Sequence, residues 1–135
     1  MIPILLCMHG NASTELRASA EMICGVQDQC ETIDFHMGQD IKVLQDQLDE
    51  KIVSLGKHPL CLTDLRGGTP FNTLVTLTQK YPDISIIAGT NIPMLLQAFI
   101  YRNQLDREQL IEEIISAGKS GIFNYKKEEI IEEDF

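Results

Sequence analysis

Two side chains in this sequence are placed to work as a pair: His9, which ends one apolar run, and Asp64, which ends another. A carboxylate that holds one imidazole nitrogen as N–H leaves the other with a free lone pair, the state a nucleophile needs. The same carboxylate stabilises the positive charge that the ring gains on attack. Directly after Asp64 come Leu65-Arg66-Gly67-Gly68-Thr69-Pro70-Phe71-Asn72, a glycine turn that runs into a helix start. Thr69 is expected to cap that helix through its hydroxyl, with Pro70 at the first helical position, where its missing N–H costs nothing. A helix N-terminus offers unpaired N–H groups and a partial positive charge, so the backbone at Gly67, Gly68 and Thr69 forms a cradle for a phosphate-sized anion. Nucleophile, orienting carboxylate and anion cradle together point to phosphoryl transfer to and from His9.

The elements that must bring these groups together can be read from periodicity. Residues 2–8 form a continuous apolar run, as in a parallel strand covered on both faces. Residues 13–24 read as a helix with Leu16, Ala20 and Ile23 inward and Gly25 as its stop. Residues 32–35 are a second strand. Asp40 caps a helix striped by Ile41, Leu44, Leu48, Ile52 and Leu55, which Gly56 ends. Strand three covers 60–64, helix three 70–80 and strand four 84–88. Gly89-Thr90-Asn91-Ile92-Pro93 then repeats the turn-and-proline pattern and opens a helix through Arg102. Asp106 and Gln109 form a capping box for a last helix, closed by Gly118. Residues 122–125 read as a short final strand, and the charged stretch 128–134 is expected to fray.

Strand and helix alternate four times, which predicts an α/β fold: a doubly wound, four-stranded parallel sheet of order 2-1-3-4 with helices on both faces. Ligands bind such sheets outside the carboxyl ends of the strands, where strand order reverses. That point lies between strands one and three, with His9 at one strand end and Asp64 at the other. His36 follows strand two at the same edge but one position away, as a rim residue and a possible partner contact. His58 precedes strand three and belongs at the opposite edge. Arg66 reads equally as a clamp on the phosphoryl group, a contact for a partner protein or an exposed turn residue. Phe71 is expected to anchor helix three in the core, and Asn72 to contact the site or face solvent.

Composition narrows the function further. A net charge of −9 argues against nucleic acid and anionic membranes as partners. No apolar run approaches the roughly 20 residues of a membrane helix, and residues 1–7 lack the basic start of a signal peptide, so a cytoplasmic location is expected. The four cysteines, Cys7, Cys24, Cys30 and Cys61, contain no C-x-x-C pair and read as buried thiols, with no metal site. Neither nucleotide-binding glycine motif occurs. The phosphoryl group should therefore come from another protein or a small phosphate donor, without a bound cofactor.

Taken together, His9-Gly10 after strand one, Ile33-Asp34-Phe35, the 63–72 stretch and Ala88-Gly89-Thr90-Asn91-Ile92-Pro93-Met94 resemble the IIA component of the mannose family of bacterial sugar phosphotransferase systems. The resemblance spans essentially the whole length. It implies a phosphocarrier, in which the histidine matching His9 takes a phosphoryl group from the carrier protein HPr and gives it to a histidine of the IIB component. The membrane IIC and IID components then carry the sugar. The aspartate matching Asp64 bonds that histidine, and the hydroxyl matching Thr69 lies by the phosphoryl group. The resemblance also implies a homodimer that exchanges a C-terminal strand, matching residues 122–125. On this view 1–135 is a single domain, with 119–135 the exchanged strand and acidic tail. Some members carry Trp in place of Arg66, and many are fused to a IIB domain, which is expected here on a separate chain. Alternatives are a phosphocarrier serving dihydroxyacetone kinase, a histidine phosphatase lacking the usual arginine before His-Gly, and a receiver-like module, which would have an acidic residue where His9 stands.

Overall fold

The computed structural model describes residues 1–127. In chain order the elements are β1 (Ile4–His9), α1 (Ala12–Cys24), β2 (Cys30–Phe35), α2 (Ile41–Ser54), β3 (Leu60–Thr63), α3 (Thr69–Leu77), β4 (Ser85–Ile87), α4 (Ile92–Tyr101) and α5 (Arg107–Ser120). The four strands form one parallel sheet in the order β2-β1-β3-β4. This is the expected doubly wound arrangement, and it makes β1 and β3 neighbours. Their register pairs Ile4 with Leu60 and Cys7 with Thr63, so the next residues along, through His9 and Asp64, emerge side by side at the carboxyl edge.

Alternation along β1 divides its side chains between two cores. Ile4, Leu6 and Met8 join Leu60, Leu62 and residues of α1, α4 and α5 on one face. Leu5, Cys7 and Cys61 join residues of α2 and α3 on the other. All five apolar residues from Ile4 to Met8 are fully buried, the pattern of a strand covered on both sides. Leu44, Leu48 and Ile52 seal the α2 face at helical spacing, each removing side-chain surface worth about 1.5–3 kcal/mol from water.

Several local expectations change. In α1 the inward stripe is Ala12, Leu16, Ala20 and Cys24, while Ile23 is exposed. Ile41 is likewise exposed at the start of α2. Gly118 does not close the last helix, which continues to Ser120 with Gly121 as C-cap. Its role is close packing: a Cβ there would lie 2.6 Å from Met94 Cγ, so the glycine lets α5 approach α4. Residues 122–127 have no regular secondary structure in the single chain, and Ile122, Phe123 and Tyr125 are exposed. The acidic stretch expected at 128–134 lies outside the described residues.

All four cysteines are free thiols, and Cys7, Cys30 and Cys61 are buried. Burial, reinforced by the charges of Asp64 and Asp34, pushes the Cys7 thiol up to about 12. Burial also pushes Cys30 up to about 11, against the pull of nearby Arg17 and Arg102, and raises Cys61 strongly. Thiols held so far from ionisation are inert packing groups. Among the described residues no helix is long and apolar enough to cross a membrane.

Candidate active site

The two strand ends deliver the expected pair. The Asp64 carboxylate accepts a hydrogen bond from His9 Nδ1 at 2.9 Å and a second, on the same oxygen, from the His9 backbone N–H at 3.1 Å. A carboxylate at this position only accepts, so Nδ1 carries a proton, and in the neutral ring Nε2 is the nitrogen with the lone pair. Burial alone would raise the Asp64 pKa, but the hydrogen bonds from His9 and the attraction of its ring outweigh burial and hold the carboxyl below its ordinary value. The His9 side chain is 42% exposed, so Nε2 is open to a reacting group.

The turn after β1 is fixed from beneath. Gly10, at φ +61°, donates its N–H to the Phe35 carbonyl at 2.8 Å. Ser13 Oγ donates to the Ile33 carbonyl at 2.8 Å, and Thr14 gives both its N–H and its hydroxyl to Asp34. Every one of these acceptors lies at the end of β2, so α1 starts where the sheet dictates. Phe35 stands edge-on to the His9 ring, with centroids 6.0 Å apart at 75°. His9, Gly10, Phe35 and Met37 line a small hollow at the sheet edge. Sequence reading does not single out Phe35 as a ring neighbour; the register that pairs it with His9 puts it there.

On the other side of the ring lies the glycine turn. Gly67 sits at φ +80°, a left-handed conformation that costs an L-residue roughly 1–2 kcal/mol. Asn72 braces it by donating from Nδ2 to the Gly67 carbonyl at 2.9 Å. Because the chain has already reversed at Gly67, Gly68 in extended geometry takes the cap position, and α3 starts at Thr69 with Pro70 second. This corrects the expected cap: Thr69 makes no side-chain cap bond. Gly68 itself meets the ring, since a Cβ there would lie 2.7 Å from His9 Cε1 and 3.4 Å from Nε2. The unpaired amides of the first α3 turn thus begin beside the nitrogen that holds the lone pair.

The other expected residues scatter more widely. Thr69 is half-buried and borders a groove with Ile41, Gln45, Asn72, Thr73 and Thr76, separate from the His9 hollow. Arg66 is exposed on the turn. His36 is exposed beyond β2 and lines a different groove with Asp34, Gln39 and Lys51. His58 lies before β3, at the opposite edge, where its carbonyl accepts from Arg107. Phe71 is only half-buried and joins neither core. Among the described residues no group of three or more His, Cys, Asp or Glu side chains could hold a metal ion.

Gly68 gives a sharp test. At φ −73° the backbone accepts alanine, but the added methyl would overlap the imidazole and displace the ring from its present seat. Gly68→Ala should keep the fold and slow chemistry at His9 by up to about 100-fold, the effect of a ~1 Å misplacement. Circular dichroism and single-turnover rates check both halves, and an undiminished rate would mean that the ring tolerates the crowding.

Comparison with known proteins assigns the chain to a family. The sequence model of the family described as "PTS system fructose IIA component" (EIIA-man) matches residues 3–115. The chain belongs to this family of phosphotransferase-system IIA components. Among its relatives is the PTS system mannose-specific EIIAB component of Escherichia coli K12, 31% identical over 124 residues. That match covers 90% of this IIA chain and 38% of the relative, so the chain spans well under half of the longer protein. A phosphotransferase system component EIIA from Streptococcus agalactiae has the same fold, with a TM-score of 0.85 and 32% identity over 92% of this chain and 97% of that one. The mannose/sorbose specific IIA subunit from Enterococcus faecalis superposes with a TM-score of 0.88 at 25% identity, covering 97% of this chain and all of the other.

Proposed function

We propose that this chain is a phosphocarrier that takes a phosphoryl group from phosphorylated HPr onto His9 Nε2 and passes it to a histidine of a IIB component, coupled to sugar uptake through membrane IIC and IID components. The observation that carries this reading is the 2.9 Å bond between His9 Nδ1 and Asp64. It supports Nε2 as the only ring nitrogen with a lone pair to offer. In the first step that lone pair forms the new N–P bond while the donor's N–P bond breaks, returning the pair to the donor imidazole. Asp64 offsets the positive charge on the His9 ring, and the first amides of α3 face the phosphoryl oxygens. In the second step the IIB imidazole attacks the same phosphorus and His9 leaves as the neutral ring. Gly67, Gly68 and Thr69 supply the backbone around the phosphoryl group. The Gly68 N–H is already given to the Leu65 carbonyl at 3.1 Å, which leaves the donating to the α3 amides from Thr69 on. Arg66 and His36 stand on the rim as contacts for the partner proteins.

The test is direct. The chain incubated with phosphorylated HPr should gain the mass of one phosphoryl group, retain it in buffer, and lose it on addition of IIB. No mass gain would sink the carrier reading, and rapid loss to water without IIB would favour a phosphatase.

A homodimer that exchanges residues 122–125 belongs to the same proposal. Strand β4 is an edge of the sheet, and exposed Ile122, Phe123 and Tyr125 need an apolar cover. A hollow beside β4 is lined by Ile87, Ala88, Met94, Ile115 and Gly118 together with this chain's own Ile122. In the exchanged dimer the partner's segment would extend that apolar contact along the β4 edge. Removal of residues 121–135 should convert a dimer into a monomer in light scattering; an unchanged dimer would refute the exchange.

A further inference from the structure

The Gly89–Met94 stretch performs a task that the chemistry so far has not used. Pairing between β3 and β4 stops at Leu62 opposite Ile87, short of the site. Beyond that point Thr90 replaces the strand ladder: its backbone N–H reaches the Thr63 carbonyl at 3.1 Å, and its hydroxyl donates to the same oxygen at 2.7 Å. That carbonyl belongs to the peptide plane joining Thr63 to Asp64, and a planar peptide fixed at its oxygen is fixed at its N–H and at the next Cα as well. The Asp64 side chain has little else to aim it. One carboxylate oxygen takes both His9 hydrogen bonds, while the other is buried without a partner among the described residues. Thr90 is itself anchored, because Asn91 next to it caps α4 at Met94 and donates from Nδ2 to the Gly118 carbonyl in α5.

We propose that Thr90 is a positioning residue for chemistry at His9, acting through the Thr63–Asp64 peptide on the carboxylate that holds the ring. The kinetic part of this inference rests on the phosphocarrier reading; the structural part does not. Thr90→Val keeps the shape and the backbone N–H but removes the hydroxyl donor, and Thr90→Ser restores it. The valine variant should accept phosphoryl groups from phosphorylated HPr about fivefold more slowly at unchanged KM, the scale of one neutral hydrogen bond. Its His9 ring ¹⁵N shifts should move from the Nδ1–H form toward a mixture of tautomers, and serine should reverse both effects. Wild-type rate and wild-type ring shifts in Thr90→Val would overturn the proposal. If even the unaltered chain accepts no phosphoryl group, the carrier reading fails, and the ring shifts alone decide the role of Thr90. If Thr90→Val does not fold, the unaltered chain supplies the measurement. The Thr90 amide should shift as His9 titrates, and a silent Thr90 amide beside a responding Asp64 amide would overturn the link.

Discussion

His9→Ala abolishes acceptance of a phosphoryl group from phosphorylated HPr and leaves the fold intact. The fold survives because the ring sits at the sheet edge, 42% exposed, against Phe35, Gly68 and Asp64, while the buried strand beneath it is untouched. The backbone N–H of residue 9 still donates to Asp64, so the carboxylate keeps one of its two partners. What disappears is the one imidazole, among the described residues, that lies against the start of α3. His58 lies at the other edge and His36 borders a different groove, so neither can substitute. Intact-mass measurement after incubation with phosphorylated HPr decides the matter, and a full mass gain in His9→Ala would remove His9 from the mechanism. His9→Asn sharpens the control, since its Nδ2 amide stands where Nδ1 does and can still donate to Asp64 but offers no nucleophile.

Asp64→Ala has the second largest expected effect, a slowing of transfer by roughly 100-fold, within the range for loss of one electrostatic partner of the reacting charge. Without the carboxylate the ring is free to place its proton on Nε2, which blocks attack, and the charge formed on phosphorylation has no partner. Stopped reactions resolved by phosphate-affinity electrophoresis give the rate; wild-type speed would reduce Asp64 to a structural role. The carboxylate also leaves a mark on stability. Its pKa in the folded chain is lowered, so its ionised form binds the fold more tightly than its protonated form. The stabilisation is fully present above the unfolded carboxylate value of about 4 and is lost as pH falls through the lower folded value. Urea melts should therefore show a gap between the wild-type chain and Asp64→Asn that is constant near neutrality and shrinks in acid.

Much of this site was legible in the sequence because topology can be read from periodicity. The uninterrupted apolar run through Met8 and the run through Leu62 mark buried parallel strands, and a doubly wound order then places their ends together. Histidine and aspartate at those two ends form the pair before any coordinate is known. Features set by close approach between distant segments were not legible. Gly68 caps α3 because Gly67 has already turned the chain, and a Thr-Pro signal cannot reveal that. Gly118 reads as a helix stop on its own, yet Met94 of another helix explains it. Ile23 fits an apolar stripe by spacing, but the inward face of α1 is set by where Ser13 and Thr14 anchor the helix to the end of β2. The segment 122–125 has a strand-like composition yet takes no regular secondary structure in the single chain, because residue types alone do not supply a pairing edge.

The bond between His9 and Asp64 stands complete before any phosphoryl group arrives. A ring already oriented by its carboxylate needs no turning before it accepts a phosphoryl group or after it gives one up. On the phosphocarrier reading, the chain then behaves as a gauge set between supply and demand. Abundant donor with little sugar to consume it fills His9, and heavy sugar traffic drains it.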